Sequence, residues 1–135
     1  MSSHHWMDKT ETTVAEQHEI ERRGCKIICE RLAAVGGTVK KSDDRTFDLI
    51  VDGEYAEVKA KGNGWDRFGF ISLTKAQRQA LGKKLKAIFL VLNVNHPKKV
   101  EVIEIRAEDL LKCECQEILR YDWKKTAIRH LRRQQ

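Results

Sequence analysis

Apolar residues at 20, 27, 28, 32 and 35 recur close to a 3.6-residue period and predict a helix over residues 14–35. Gly36-Gly37 ends it, because glycine readily takes the left-handed conformation that closes a helix. Thr38-Val39-Lys40 reads as a short first strand and residues 41–45 as a charged loop. Two runs rich in β-branched and aromatic residues follow, 47–51 and 54–60, on either side of Asp52-Gly53. That dipeptide between such runs signals a two-residue hairpin turn. Residues 61–67 form a glycine-rich loop, and 68–73 read as a further strand. Thr74 opens a helix of about ten residues, with Gln77 placed for a capping box. The near-continuous apolar run 87–94 fits a strand buried on both faces. Asn95-His96-Pro97 is a turn, 100–105 alternates like an outer strand, and 108–119 and 121–131 read as helical. The expected fold class is α/β: one domain over 13–135, with a mixed sheet of about five strands flanked by helices. A disordered polar segment, 1–12, precedes it.

The hairpin register carries the chemistry. A turn at Asp52-Gly53 pairs Val51 with Glu54, Ile50 with Tyr55, Leu49 with Ala56, and Asp48 with Glu57. Two carboxylates then oppose each other with Cβ atoms about 4.5–5.5 Å apart, and like charges so placed destabilise a sheet. A divalent cation with oxygen ligands offsets that repulsion directly. Side chains alternate along a strand, so Lys59 shares the face of Glu57, while Phe47, Leu49, Val51, Ala56, Val58 and Ala60 form an apolar opposite face.

Composition narrows the function classes. The 135 residues are 41% hydrophobic and 34% charged, enough apolar material for a core and too much for a disordered chain. No apolar run is long enough to span a bilayer, and Met-Ser-Ser-His-His-Trp lacks the regions of a secretion signal, so the expected compartment is cytoplasmic, with no membrane partner. The net charge of +6 is uneven. Residues 1–59 carry nine Lys/Arg against twelve Asp/Glu, and residues 60–135 carry seventeen against eight. A basic half joined to an acidic centre points to a polyanionic substrate. Cys25, Cys29, Cys113 and Cys115 are expected as reduced thiols. A four-thiolate zinc site competes with buried small apolar residues for Cys25 and Cys29, and the spacing is not that of the common zinc modules.

An Asp, a hairpin and then Glu-x-Lys resembles the PD-(D/E)xK nuclease superfamily, with its restriction-endonuclease-like core. Asp48 matches the first acid, Glu57 the second and Lys59 the lysine, within a likeness spanning about residues 15–95. Phe47 stands where the family often has proline. The resemblance implies Mg²⁺ or Mn²⁺ held by Asp48, Glu57 and the main-chain carbonyl of Val58, hard ions that prefer oxygen. The metal would polarise the scissile phosphate and activate a water, and Lys59 would position that water or steady the growing charge. It also implies a further acid on the first helix. Glu21 is the candidate, with Glu16 and Glu19 as rivals, and a solvated helix face accounts for all three. Lys75 and Gln77 resemble a Lys-x-Gln of relatives such as archaeal Holliday-junction resolvases, where these residues would touch phosphate or order a water. The capping box explains Gln77 equally well.

Trp65 could stack on an unpaired base or fold over the core edge. Arg67, Lys61, Lys83, Lys84, Lys86, Lys98, Lys99, Arg129, Arg132 and Arg133 are candidate backbone contacts, against a background of ordinary solvated charges. His18, His96 and His130 read as surface residues. The leading expectation is a Mg²⁺/Mn²⁺-dependent endonuclease on DNA, including branched DNA, with nucleic acid as partner and a homodimer or larger assembly in view. A nuclease toxin acting on DNA or tRNA shares the chemistry. A catalytically inactive nucleic-acid-binding module is the reading from another class.

Overall fold

The computed structural model describes residues 13–64 and 71–115. Helix α1 (Val14–Ala34) opens at Thr13, whose hydroxyl accepts the Glu16 N–H at 3.0 Å. It closes where Gly36, at φ 85°, lets the Gly37 N–H reach back to the Leu32 carbonyl at 2.8 Å. Strands β1 (Val39–Lys41), β2 (Leu49–Val51) and β3 (Glu54–Ala60) form an antiparallel meander. Helix α2 (Lys75–Ala80) lies on the crossover to β4 (Leu85–Leu92), which runs parallel to β3. A 3₁₀ turn (Pro97–Lys99) leads to β5 (Glu101–Arg106), antiparallel to β4, and then to α3 (Ala107–Leu110). The result is one mixed five-stranded sheet in sequential order, β1-β2-β3-β4-β5.

Both faces of the sheet are covered. Ile20, Ile28, Leu49, Ala56, Val58, Ala60, Ala87, Phe89 and Val91 join α1 to one face. Phe47, Leu85, Ile88 and Leu90, with Ile71, Leu73, Ala80 and Leu110 beside them, fill the other. β4 lies under both clusters, so its apolar run shows no alternation. No helix among the described residues is long and apolar enough to cross a membrane.

Helix α1 meets the sheet through Ile20, Gly24 and Ile28, one residue every four. A Cβ built on Gly24 would stand 2.7 Å from the Ala60 Cβ, so the close crossing requires glycine. Alanine would gain about 1 kcal/mol of helix propensity there. Overpacking against a Cβ fixed to backbone costs roughly 1–3 kcal/mol and wins. Gly24→Ala is therefore expected to lower the urea midpoint, and Ala60→Gly in the same chain to recover part of the loss. Purely additive effects in that double-mutant cycle would contradict the contact.

Several sequence expectations need correction. Phe47 lies on the opposite face from Leu49 and Ala56, with its ring 4.8 Å from Tyr55. The chain turns at 44–47, where the Phe47 N–H bonds the Asp44 carbonyl at 3.2 Å, so strand alternation does not reach back that far. Residues 71–73 are not strand, and 68–70 lie outside the described residues. α2 has six residues rather than about ten. Leu81 is extended and Gly82 takes φ 82°, which turns the chain into β4 two residues earlier than the apolar run suggests. The helix expected over 108–119 is α3, four residues beginning at Ala107 without a side-chain cap, and it gives way to turns after Leu110. The segment 1–12, positions 116–119 of the helix expected over 108–119, and the helix expected over 121–131 lie outside the described residues.

Candidate functional site

The reversal at Asp52-Gly53 sets the site. Both residues take positive φ, 49° and 83°, as a two-residue turn matched to strand twist requires. The Asp52 carboxylate anchors the turn by accepting the Thr38 N–H at 2.8 Å and the Thr38 hydroxyl at 3.0 Å. The register is Val51 with Glu54, Ile50 with Tyr55 and Leu49 with Ala56, which puts Asp48 opposite Glu57. Counting outward from the turn, hydrogen-bonded and close-approach pairs alternate, and 48/57 falls on a close-approach position.

The ladder ends there. The Val58 N–H finds no main-chain acceptor on β2 and bonds Asp48 Oδ2 instead, at 2.9 Å. In a strand, the N–H and C=O of one residue point to the same edge. The Val58 carbonyl therefore faces the gap into which Asp48 projects. Upstream, Asp44 Oδ1 accepts the Thr46 N–H at 2.8 Å and fixes the turn that delivers Asp48.

Glu57 is buried, only 6% exposed. Its Oε2 accepts from the Gln77 side-chain amide at 2.8 Å and lies 3.4 Å from Lys59 Nζ. Its Oε1 is buried with no hydrogen-bond partner. Burial first, then the adjacent Asp48 carboxylate, pushes the Glu57 acid up to about 7, against the opposing pull of Lys59 and Gln77. Glu57 therefore keeps its proton well above the ordinary carboxylate range. The charge of the two acids reaches α1 as well. Burial raises the Cys25 thiol to about 12, with help from Asp48, Cys29, Glu57 and Glu21.

Gln77 fills the capping box and also bonds Glu57. Its Oε1 accepts the Thr74 N–H at 3.1 Å and its N–H bonds the Thr74 hydroxyl, a complete capping box. Its amide nitrogen meanwhile donates to Glu57 and to the Thr46 carbonyl, at 2.8 and 2.9 Å. One buried side chain thus starts α2, anchors the turn before Asp48 and orients Glu57. Gln77→Leu strands three polar partners and is expected to cost about 2–3 kcal/mol at pH 8. Chemical denaturation measures it, and a cost near zero would mean that water replaces the amide.

The remaining candidates scatter. Glu21 is exposed, bonded by Gln17 at 3.3 Å, beside the buried stripe rather than on it. No group of three or more His, Cys, Asp and Glu side chains converges among the described residues, so Glu21 does not join the acidic pair and the cysteines do not assemble a thiolate site. Glu16 serves the Thr13 cap, and Glu19 pairs with Arg22 at 2.6 Å. Cys25 and Cys29 pack half-buried against the core, whereas Cys113 and Cys115 are exposed. Lys75 is the exposed first residue of α2, two positions from Gln77. Lys61 is exposed just past β3, and Lys83 and Lys84 sit exposed in the turn after Gly82. Trp65 and Arg67, like Arg129, Arg132, Arg133 and His130, lie outside the described residues. Sequence reasoning missed Thr46, which acts through its carbonyl and leaves no side-chain signal. No protein-family model, no curated protein and no solved structure matches the chain.

Proposed function

We propose that the chain is a metal-dependent nuclease hydrolysing phosphodiester bonds in DNA, built on a restriction-endonuclease-like core. One observation carries this reading. Two carboxylates abut in a buried site, and Glu57 Oε1 has no partner there. A buried acceptor without a partner costs about 1–3 kcal/mol, more when charged. Such a cost calls for a ligand, and paired carboxylate oxygens suit Mg²⁺ or Mn²⁺ rather than a softer ion.

Asp48 and Glu57 would hold the ion, with the Val58 carbonyl facing the same gap. When bound, the ion supplies Lewis-acid polarisation of the phosphodiester and offsets the repulsion between the acids. Lys59 lies 3.4 Å from Glu57 Oε2 on the same face of β3, which supports a role for its ammonium in steadying negative charge on the phosphate. Gln77 holds Glu57 Oε2, so that Oε1 stays available. The exposed lysines 61, 75, 83 and 84 supply backbone contacts, each adding about −0.9 to the salt slope on duplex DNA.

The test is to incubate the protein with supercoiled plasmid, branched DNA and RNA in Mg²⁺ or Mn²⁺. Cleavage of DNA that stops on chelation is the expected result. Calorimetry should show a Mn²⁺ binding event that depends on Asp48 and Glu57. Salt-sensitive DNA binding without metal affinity would identify an inactive binding module instead.

A further inference from the structure

A second feature lies beyond the C-terminal ends of β3 and β4, the ends at which parallel strands commonly present ligand sites. Ala15, Glu16, Glu19, Ile20 and Arg23 of α1, with Asn95 of the loop after β4, line an open cleft of about 300 Å³. That is the low end of the size range for small-ligand sites, roughly 300–1,000 Å³. Its floor is apolar, from Ala15 and Ile20, and its polar groups are of mixed sign. Asn95 Oδ1 accepts from Arg23 Nη2 at 2.8 Å and fixes the guanidinium, while Arg23 Nε is buried without a partner. A Cβ on Gly62 would meet Asn95 Nδ2, so the glycine lets Asn95 stand there. The Arg22 guanidinium grips both oxygens of Glu19, at 2.7 and 2.6 Å, and holds its carboxyl below the usual range, so only their remaining lone pairs are acceptors at the cleft.

Mixed donors and acceptors around an apolar floor do not suit a phosphate, which carboxylates repel. They suit a flat, uncharged ring with a donor–acceptor edge. Arginine donates in pairs to purine acceptors, and carboxylates accept from ring amino groups. From Glu57, β3 runs toward this end of the sheet, and Lys61 lies about 13 Å further along the strand at 3.3 Å per residue. A strand of nucleic acid spans that distance.

We propose that this cleft holds one unpaired nucleobase of the substrate, with Arg23 reading its edge, so that the preferred substrate is single-stranded or branched rather than fully paired. Its meaning as a substrate subsite rests on the nuclease reading above; binding of the base does not. With no aromatic ring in the cleft, the gain from seating a base comes from apolar contact and edge hydrogen bonds, on the order of tenfold in affinity.

The experiment uses the full chain carrying Glu57→Gln, in chelator, so that cleavage plays no part. The probes are a fluorescent mixed-sequence single strand and the blunt duplex of the same sequence. Ala15→Leu fills the cleft from the first turn of α1 without altering charge, and leucine suits a helix. It is expected to weaken single-strand binding about tenfold, to leave duplex binding unchanged, and to leave the salt slope unchanged. Arg23→Met should weaken the single strand comparably, and Ala15→Leu guards against its failing to fold. Unchanged single-strand affinity in Ala15→Leu overturns the proposal, as does an equal loss on the duplex or no single-strand binding by the parent. Metal-dependent cleavage absent from the unmodified protein, with base binding intact, would sink the nuclease reading and leave the subsite standing.

Discussion

Asp48→Asn is expected to abolish metal-dependent cleavage while leaving the fold intact. Alanine is the poorer probe. Asp48 Oδ2 accepts the Val58 N–H at 2.9 Å, so truncation would strand a main-chain donor in the middle of the sheet and confuse loss of chemistry with loss of structure. Asparagine keeps an oxygen for that N–H and removes the charge. Glu57 then loses the neighbour that, after burial, does most to raise its pKa. Melting temperature at pH 8 should stay level or rise, because two like charges no longer face each other. Cleavage under single-turnover conditions should fall by about 10²–10³-fold or more, the scale of losing one group that stabilises transition-state charge. Calorimetric Mn²⁺ binding should weaken with it. Cleavage by Asp48→Asn at the parent rate would remove the acidic pair from the mechanism.

Asp48 and Glu57 were legible in the sequence because a two-residue turn leaves no freedom. Once Asp52 and Gly53 both take positive φ, every pair back to 48/57 is fixed by counting. The buried run of β4 was equally plain, since an unbroken apolar strand needs cover on both faces. Phe47 was misplaced because counting fails where the ladder stops, and what stops it is the Asp48 side chain taking the Val58 N–H. Gln77 showed its helix cap in the sequence but not its bond to Glu57, twenty positions away, since nothing local encodes that approach. Gly24 interrupts the apolar pattern of α1, yet a Cβ there would stand 2.7 Å from the Ala60 Cβ on the sheet. Periodicity weighs side chains, and here the contact depends on lacking one. Glu21 stands next to Ile20 in sequence but off the Ile20–Gly24–Ile28 stripe, a stripe whose middle member has no side chain to count.

In the absence of divalent metal, stability is expected to fall as pH rises from about 4.5 to about 7. The unfolded chain releases the Glu57 proton near 4.5, whereas the folded chain keeps it until about 7. Between those values the native state binds more protons than the unfolded one, so each step up in pH favours unfolding. Below the window both states are protonated and this Glu57 penalty is absent. Above it both are ionised, and the penalty is complete. A gap of this size corresponds to about 3 kcal/mol at about 1.4 kcal/mol per pH unit. Urea titrations in chelator at pH 4.5, 6 and 8 measure it. Glu57→Gln should flatten the profile and be the more stable protein at pH 8, because a neutral amide keeps an acceptor for Gln77 and stands beside Asp48 without repulsion. Mn²⁺ should repair the parent at pH 8 and not the variant, by about 2.7 kcal/mol when the metal is a hundredfold above its Kd. A parent that is flat from pH 4.5 to 8, and indifferent to Mn²⁺, would mean that the buried carboxylate is satisfied without a metal. An acid that weakens the apoprotein and is inert to metal has no use in this fold, whereas one whose repulsion is relieved only by a divalent ion is a site kept for binding it.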